Sequence, residues 1–352
     1  MFCIAAFIVL LVMGAFSARY RRHLGTAWSC TVRRVTFRPC DTSFKQDVKD
    51  HLLAPIAVRR PDLVAPASIG LEVLAVLVLL TTLWSGYTVL TSAANLYVYG
   101  TCNKQDSASC TLGAQACSIP DETPGFVDSL AAFDLLGAFG NEFASLGETL
   151  AAIPARFQTW TAEDYLPVNA SYLAETAGNP TAVEVIDPGC TYCRALFQNI
   201  EEAGLAGSYN LSYIAYPIGG TDGYKFPNSL LVTRYLEAAR LHPLPEAPTP
   251  VDWQILQRIF TGKTAAGLPW QDSINSMSAP EATATLTGWL AEFGLTPAEV
   301  DVVVAEAGSD RVTAIIADNK TLVEAKIATV KIPTIIFDGR RHDGLVAVDG
   351  LR

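Results

Sequence analysis

An apolar run over residues 69–90 is the feature that most limits how this chain folds. Glu72, near its start, is the single charged residue in the run. A helix rises 1.5 Å per residue, so one of this length crosses the roughly 30 Å hydrocarbon core of a bilayer. Trp84 and Tyr87 lie toward its far end, as aromatic residues at a membrane interface do. We therefore expect a transmembrane helix over 68–91, with a buried core helix as the alternative.

A second apolar run, residues 1–18, contains no charged side chain, and we expect it to be a retained transmembrane helix. The segment between the runs, 19–67, holds ten Lys or Arg and four Asp or Glu, whereas the chain from Thr91 onward holds 15 basic and 30 acidic residues. The positive-inside rule places the basic loop in the cytoplasm, next to membrane lipid, and both the N-terminus and the C-terminal region outside. A cleaved signal peptide is the alternative for 1–18, but its basic residues would precede the apolar stretch.

The overall composition excludes two broad classes of protein. Half of the residues are hydrophobic and 17% are charged, which is too apolar for a disordered chain. A formal net charge of −10 gives no basic footprint, so we expect no nucleic-acid partner.

The segment over 92–178 is predicted to be an extracytoplasmic region with cysteines and a helical stalk. Cys102, Cys110 and Cys117 lie in polar sequence, and cysteines outside the cytoplasm are usually oxidised. A small loop closed by Cys102 and Cys110 is one possibility, although Cys117 can replace either partner and Cys3 is a further candidate. Apolar residues recur at spacings of three and four over 124–165, which predicts an amphipathic helical stalk.

Residues 179–352 alternate between strand and helix patterns. A β-branched strand over 182–186 is followed by a turn and a helix, and a second strand is predicted over 210–218. Helical sequence fills about 226–326, and strands are predicted over 332–337 and 344–348. The fold class is therefore α/β with an inserted helical subdomain.

The motif Cys-Thr-Tyr-Cys at 190–193 lies where the first strand gives way to a helix. Unpaired N–H groups and the dipole at a helix start stabilise a thiolate, which lowers the pKa of the first cysteine. Cys190 is thus the candidate nucleophile, and Cys193 is placed to resolve a mixed disulfide. A zinc site is one alternative, but His242 and His342 are the only histidines downstream. A purely structural disulfide is the other.

Two further residues fit redox chemistry. Glu184 precedes Cys190 by six positions on the strand, where a buried acid would move protons to and from Cys193; a surface Glu on an edge strand is the alternative. Pro333 follows Ile332 at the start of a β-branched run, and proline is tolerated there. A cis bond would orient the backbone of Ile332 to pair with an extended substrate.

Residues from about 180 to 350 resemble the thioredoxin-fold DsbA-like disulfide oxidoreductases. The resemblance is carried by AVEVIDPGCTYC at 182–193, NLSYIAYPI at 210–218 and VKIPTIIFDG at 330–339. It implies a thioredoxin fold in which Cys190 is the nucleophile and Cys193 resolves. It also implies that Glu184 is a buried proton relay and that Pro333 is a cis-proline facing the disulfide.

Two positions depart from the family pattern. Thr191 replaces a frequent proline, and Tyr192 replaces the histidine of strongly oxidising members, which argues against a very high reduction potential. We expect Thr191, Tyr192 and Ile332 to contact substrate. The family's closing helix would begin where the chain stops at Arg352, so an unusual C-terminus is expected.

Together these features predict a membrane-anchored, extracytoplasmic thiol–disulfide oxidoreductase without a bound cofactor. Its partners would be secreted or envelope proteins carrying thiols or disulfides, and a separate membrane redox protein would recycle it. The alternative is a thioredoxin-fold scaffold or binding protein of an envelope complex with little catalysis.

Overall fold

A computed structural model describes residues 50, 53–104, 115–120, 124–220, 223–244 and 247–352. The predicted first span, most of the basic loop and Cys110 lie outside these residues. The chain divides into two compact units, Met1–Thr91 and Ser92–Arg352.

Helix α1, Val64–Tyr99, contains the predicted second span. Within the described residues, one helix, Pro61–Tyr99 with its first turn, is long and apolar enough to cross a membrane, where two spans were predicted for the whole chain. Only 6% of its most apolar window is buried, which argues against the alternative of a core helix.

The stalk region is helical over a shorter range than predicted. It contains α2, Phe126–Ala131, and α3, Leu135–Ala151, whose first turn is capped by Asp134 accepting from Gly137 N at 2.8 Å. Pro154 has no backbone N–H to donate. Over residues 152–165 the chain forms only the 3₁₀ turns Ile153–Arg156 and Ala162–Tyr165.

A four-stranded mixed sheet forms the centre of the second unit. Its strands are β2, Thr181–Ile186; β3, Asn210–Ala215; β7, Thr334–Phe337; and β8, Arg340–Asp343. Their order is β3-β2-β7-β8, with β2 parallel to β3 and antiparallel to β7, and β7 antiparallel to β8. Helix α4, Thr191–Ala203, connects β2 to β3. This is the thioredoxin-like arrangement that the sequence predicted.

The final hairpin corrects one predicted strand. Asp338 and Gly339 both have positive φ, 49° and 70°, so they form a two-residue turn and pairing resumes at once with Phe337 opposite Arg340. The last strand is therefore Arg340–Asp343, and the prediction of a strand over 344–348 was wrong.

The predicted helical insertion lies between β3 and β7. Two short strands, β4 (Gly219–Gly220) and β5 (Gly223–Tyr224), precede six helices. The helices are α5, Ser229–Leu241; α6, Val251–Thr261; α7, Trp270–Ser276; α8, Ala279–Glu292; α9, Pro297–Ala307; and α10, Asp310–Thr321, which continues as a π-helical turn over Leu322–Ile327.

A buried charged cluster joins this insertion to the sheet. Arg240 of α5 donates to Tyr213 O of β3 at 2.8 Å, and it forms ion pairs with Glu237 and Asp252 at 3.1 Å each. The buried cation of the insertion is paired twice and hydrogen-bonded to the sheet, so polar contacts join the two elements. Apolar residues of the insertion and of the sheet also belong to one hydrophobic core.

One more strand pair completes the unit and was not predicted. The residues Cys117–Ser118 form β1, which runs antiparallel to β6, Lys331–Ile332, immediately before Pro333.

Candidate redox site

Cys190 occupies the start of helix α4. Its backbone is extended (φ −80°, ψ 124°), its N–H donates to Asp187 O at 3.0 Å, and its carbonyl accepts from Cys193 N at 3.1 Å. Cys190 is therefore the N-cap residue of α4, at the end of a helix where unpaired N–H groups favour a thiolate. Cys190 is fully buried, and its Sγ lies 3.8 Å from Ile332 O.

Asp187 fixes the turn that precedes Cys190. Its carboxylate accepts hydrogen bonds from Gly189 N and Ile218 N, each at 2.7 Å, and from the Ser229 hydroxyl. Burial raises the pKa of Asp187 to about 6, although these three donors oppose the shift. The side chain thereby ties the cysteine turn to the insertion.

Two amide side chains from helix α7 hold the same turn. Gln271 Nε2 donates to Pro188 O at 2.8 Å and to Cys190 O at 2.9 Å, while Asn275 Nδ2 donates to Gly189 O at 3.0 Å. The insertion thus determines where the Cys190 backbone lies.

Cys193 and Glu184 lie inside the domain next to the turn. Cys193 is a free, fully buried thiol whose sulfur accepts from Asp187 N at 3.4 Å. Glu184 is fully buried on β2, which is flanked by strands on both sides, so it does not lie on an edge strand. Among the described residues, neither of its carboxylate oxygens has a hydrogen-bond partner.

Burial governs the protonation of both groups. Desolvation raises the pKa of Glu184 well above its usual value. The pKa of Cys193 is also raised, first by desolvation and then by the neighbouring Glu184 charge. The pair therefore favours a protonated state, with a thiol and a carboxyl group close enough to influence each other.

The turn before β7 lies beside Cys190, since its Ile332 O is 3.8 Å from Cys190 Sγ. The Ile332–Pro333 bond is cis, and both residues are buried. Pro333 O accepts from Gly344 N at 2.7 Å. The Thr334 hydroxyl donates to Lys331 O at 2.7 Å and so closes the turn around the proline.

Cys190 is bonded to a cysteine that the sequence did not pair with it. Cys117 and Cys190 form a disulfide, with their Cα atoms 6.6 Å apart and their positions 73 apart in the chain. The sequence offered Cys117 only as an alternative partner within the set of Cys102, Cys110 and Cys3, so its bond to Cys190 was not predicted. The physical reason is the β1–β6 pairing, which places Cys117 opposite Ile332 and hence beside Cys190.

The remaining predicted site residues are less directly placed. Thr191 is exposed and Tyr192 is half-buried against the core. Cys102 is in a disulfide whose partner lies outside the described residues, so its pairing with Cys110 stays a prediction. Within the described ranges, no cluster of three or more His, Cys, Asp or Glu side chains is arranged to hold a metal ion.

Sequence reasoning missed Cys117, Gln271 and Asn275 as parts of this site. The odd number of cysteines between the apolar run and the Cys-Thr-Tyr-Cys motif was the one available signal for Cys117, because one of the three needs a partner elsewhere. The two amides carried no signal, since their contacts join segments more than 80 positions apart in the sequence.

Comparisons with known proteins give structural neighbours only. No protein-family model and no curated protein matches the chain. Among solved structures, the thiol-disulfide exchange protein alpha-DsbA2 from Wolbachia pipientis is 15% identical, covering 54% of this chain and 88% of that one with a TM-score of 0.40. A thioredoxin-like oxidoreductase from Silicibacter pomeroyi DSS-3 is 22% identical, covering 53% and 92% with a TM-score of 0.36.

A third neighbour, Proteus mirabilis ScsC in a transitional conformation, is 13% identical and covers 64% of this chain and 91% of that one, with a TM-score of 0.34. These identities and scores are low, so the fold class rests on the strand order and register described above. The activities of these proteins are not assigned to this chain on their account.

Proposed function

We propose that this chain is a membrane-anchored thiol–disulfide oxidoreductase that exchanges disulfides with extracytoplasmic proteins through Cys190 and Cys193. The observation that carries the proposal is the state of the two sulfurs at the start of α4. Cys190 is in a disulfide with a cysteine from outside its motif, and Cys193, one turn along the same helix, is a free thiol. That is the arrangement of a mixed disulfide with its resolving thiol beside it.

The proposed reaction balances without a cofactor. A client thiolate attacks Sγ of Cys190 in a Cys190–Cys193 disulfide, and Cys193 leaves as a thiolate that takes up a proton. A second client thiolate then attacks the client sulfur of the mixed disulfide, so the client becomes a disulfide and the motif becomes a dithiol. A separate membrane redox protein would reoxidise the motif, and the same steps in reverse reduce a client.

Glu184 is proposed as the group that handles the proton of Cys193. It is buried, it lies close enough to raise the pKa of Cys193, and its oxygens are unpartnered among the described residues. A carboxylate in that position accepts the thiol proton when Cys193 attacks and returns it when Cys193 leaves. Glu184 is thus a positioning and relay residue, while Cys190 and Cys193 react.

The turn around Pro333 is proposed to bind the client backbone. Ile332 already pairs with an extended segment in the antiparallel sense, which is how a sheet edge receives a peptide. Thr191 and Tyr192 flank Cys190 and complete the proposed client surface.

Membrane anchoring and extracytoplasmic action are supported by α1 and by the charge distribution. The basic segment precedes the apolar helix in the sequence, and the acidic part of the chain follows it. The positive-inside rule then places the redox unit outside the cytoplasm.

The test uses the full chain in detergent micelles, mixed with a reduced, unfolded protein that needs disulfides. We expect the oxidised chain to introduce disulfides and Cys190→Ser to give only the rate seen without protein. Cys30→Ser is the matched control for loss of a cysteine elsewhere, and it should behave as wild type. Equal rates for Cys190→Ser and Cys30→Ser would refute the proposal.

The scaffold alternative has one observation in its favour. Cys190 has no exposed surface and is already bonded to Cys117, as expected of a permanent structural disulfide. Under this alternative, Cys190→Ser lowers stability but the wild-type chain does not exchange with any client thiol or disulfide.

A further inference from the structure

The residues around Cys117 lie along the turn where a client is proposed to bind. Cys117 is opposite Ile332 and Ser118 is opposite Lys331, in antiparallel register. Ile119 N donates to Val330 O at 3.0 Å, and Leu345 N donates to Gln115 O at 2.8 Å. Residues 115–119, here termed the Cys117 segment, therefore form an added strand held by its backbone.

The Cys117 segment covers the reactive sulfur. Ala116, Cys117 and Ser118 are 4%, 6% and 5% exposed, and Cys190 beneath them has no exposed surface. With this segment in place a client peptide has no access to Cys190. The segment occupies both positions that a client needs, the strand edge at Ile332 and the bond to the sulfur.

The side chains of the segment anchor it weakly compared with a core strand. Its three most buried residues have small side chains that bury little apolar area, and hydrophobic stabilisation is roughly proportional to that area. Ile119 is its one larger apolar side chain and is only partly buried against the core. The backbone hydrogen bonds and the disulfide supply the rest of the attachment. Such an attachment is reversible by thiol exchange, because cleavage of one covalent bond releases the strongest tether.

We propose that Cys117 is a third redox cysteine, and that the Cys117 segment is a built-in substitute for a client that alternates with Cys193 as the partner of Cys190. This inference rests on the proposed function. In the closed form Cys117 is bonded to Cys190 and Cys193 is a thiol. In the open form Cys190 is bonded to Cys193, Cys117 is a thiol, and the strand edge is free for a client.

The two forms interconvert by internal exchange. The Cys193 thiolate attacks Sγ of Cys190, the Cys190–Cys117 bond breaks as the Cys190–Cys193 bond forms, and Cys117 leaves as a thiolate that takes up a proton. One disulfide and one thiol are present before and after, so no oxidant or reductant is consumed. The reverse step closes the site again.

The proposal predicts an unusual result for a variant that lacks the resolving Cys193. In Cys193→Ser, a client captured by Cys190 is still released by Cys117, which attacks from within the same chain at a high effective concentration. Cys193→Ser alone therefore traps few clients, whereas Cys117→Ser with Cys193→Ser leaves neither resolving thiol and traps many. We expect at least about tenfold more mixed disulfide in the double variant, since tethered partners commonly gain 10²–10⁴ over free ones.

The trapping experiment uses the reduced full-length chain in micelles with an unfolded client that carries disulfides, followed by an acid quench and blocking of free thiols. The Cys190 thiolate attacks a client disulfide, so the mixed disulfide forms without an added oxidant and the second client sulfur leaves as a thiolate. Adducts are counted on non-reducing gels for Cys193→Ser, for the double variant, and for Cys30→Ser with Cys193→Ser as the matched control. Abundant adducts in the double variant alone support the proposal. Equal adducts in all three variants overturn it while the proposed function stands. No adducts in any variant, together with an inactive wild type, overturn both.

A measurement on the unaltered chain does not depend on variant folding. Cleavage after Lys104, Arg156 and Arg194 places Cys117 on the fragment 105–156 and both motif cysteines on the fragment 157–194. The closed form links the two fragments, and the open form carries a bond within 157–194. We expect both forms in oxidised protein, with the open form increasing when client is added. A linkage between the fragments that client never diminishes would overturn the proposal.

Discussion

Two strand pairings meet at Pro333, and they differ in what holds them. On one side, β7 pairs with β2, whose residues Ala182, Val183, Val185 and Ile186 have no exposed surface and lie within the shared core. On the other side, β6 pairs with the Cys117 segment through a few hydrogen bonds, small side chains and a disulfide. The backbone chemistry is the same. Under the proposal above, the first pairing is part of the fold, whereas the second occupies the client site.

The largest loss of stability is expected from a substitution in the core beneath the central sheet. Phe197 has no exposed surface and its ring lies 5.4 Å from that of Phe260. We expect Phe197→Ala to lower the free energy of unfolding by about 3–5 kcal/mol, because it removes transfer energy and leaves a cavity. Denaturant unfolding of the full chain measures this. Gln115→Ala, which removes an exposed side chain of the Cys117 segment, is the control, and it should stay within about 0.5 kcal/mol; similar losses in both would erase the distinction.

Reduction of the Cys117–Cys190 disulfide should weaken the pairing of the Cys117 segment with β6 and leave the central sheet unchanged. The Ile119 amide, bonded to Val330 O, should lose about 2–4 kcal/mol of hydrogen-exchange protection when the disulfide is reduced, the usual contribution of such a bond. The Tyr216 amide, bonded to Ile186 O in the central sheet, should keep its protection. Hydrogen exchange followed residue by residue gives both values.

Cys117→Ser should show the same loss at Ile119 without any reductant. If the Ile119 amide remained as protected as the Tyr216 amide after reduction, the Cys117 segment would be a permanent part of the fold.

A smaller loss of stability is expected at the cysteine turn, where side chains of the insertion pack closely against the backbone. A Cβ added at Gly189 would meet the Phe226 side chain, with Cγ at 2.6 Å, and Asn275 Oδ1 at 3.0 Å. We expect Gly189→Ala to cost about 2 kcal/mol through overpacking and to slow disulfide exchange by shifting Cys190. At Gly207 a Cβ would have no neighbour within 4 Å, so Gly207→Ala is the matched control. Unfolding and exchange rates unchanged at both positions would contradict the role of the insertion.

The smallest effect concerns the pH dependence of stability at Glu184. Its pKa is raised in the folded protein, so the folded state holds a proton that the unfolded state has lost, and stability falls as pH rises above the unfolded value of 4.5 toward the raised pKa. Glu184→Gln removes this titration. Relative to wild type, the variant should gain stability as pH rises from acidic to mildly alkaline values, because its side chain has no proton to lose on unfolding.

Urea unfolding of both proteins across that pH range measures the gain. Glu202→Gln, an exposed acid on the same helix as Cys193, is the control. A stability difference between Glu184→Gln and wild type that does not change with pH would show that Glu184 does not titrate in the folded state as described.

The sequence alone determined the parts of this protein that depend on local patterns. The run over 69–90 predicted a long apolar helix because length and hydropathy are local properties. The strand before Cys190, the helix after it and the turn at Asp338 were readable because propensity and turn chemistry act over a few residues. Glu184 was placed near the motif by its spacing of six along one strand, although its full burial between β3 and β7 required the sheet.

Only the tertiary structure decided what reaches Cys190. The bond to Cys117 joins positions 73 apart, and a cysteine pattern cannot specify connectivity, because any accessible pair of thiols is compatible with it. Gln271 and Asn275 reach the cysteine turn because α7 packs there. The sequence thus identified the reactive motif, whereas long-range β-pairing and helix packing determined which groups hold the motif and which sulfur occupies it.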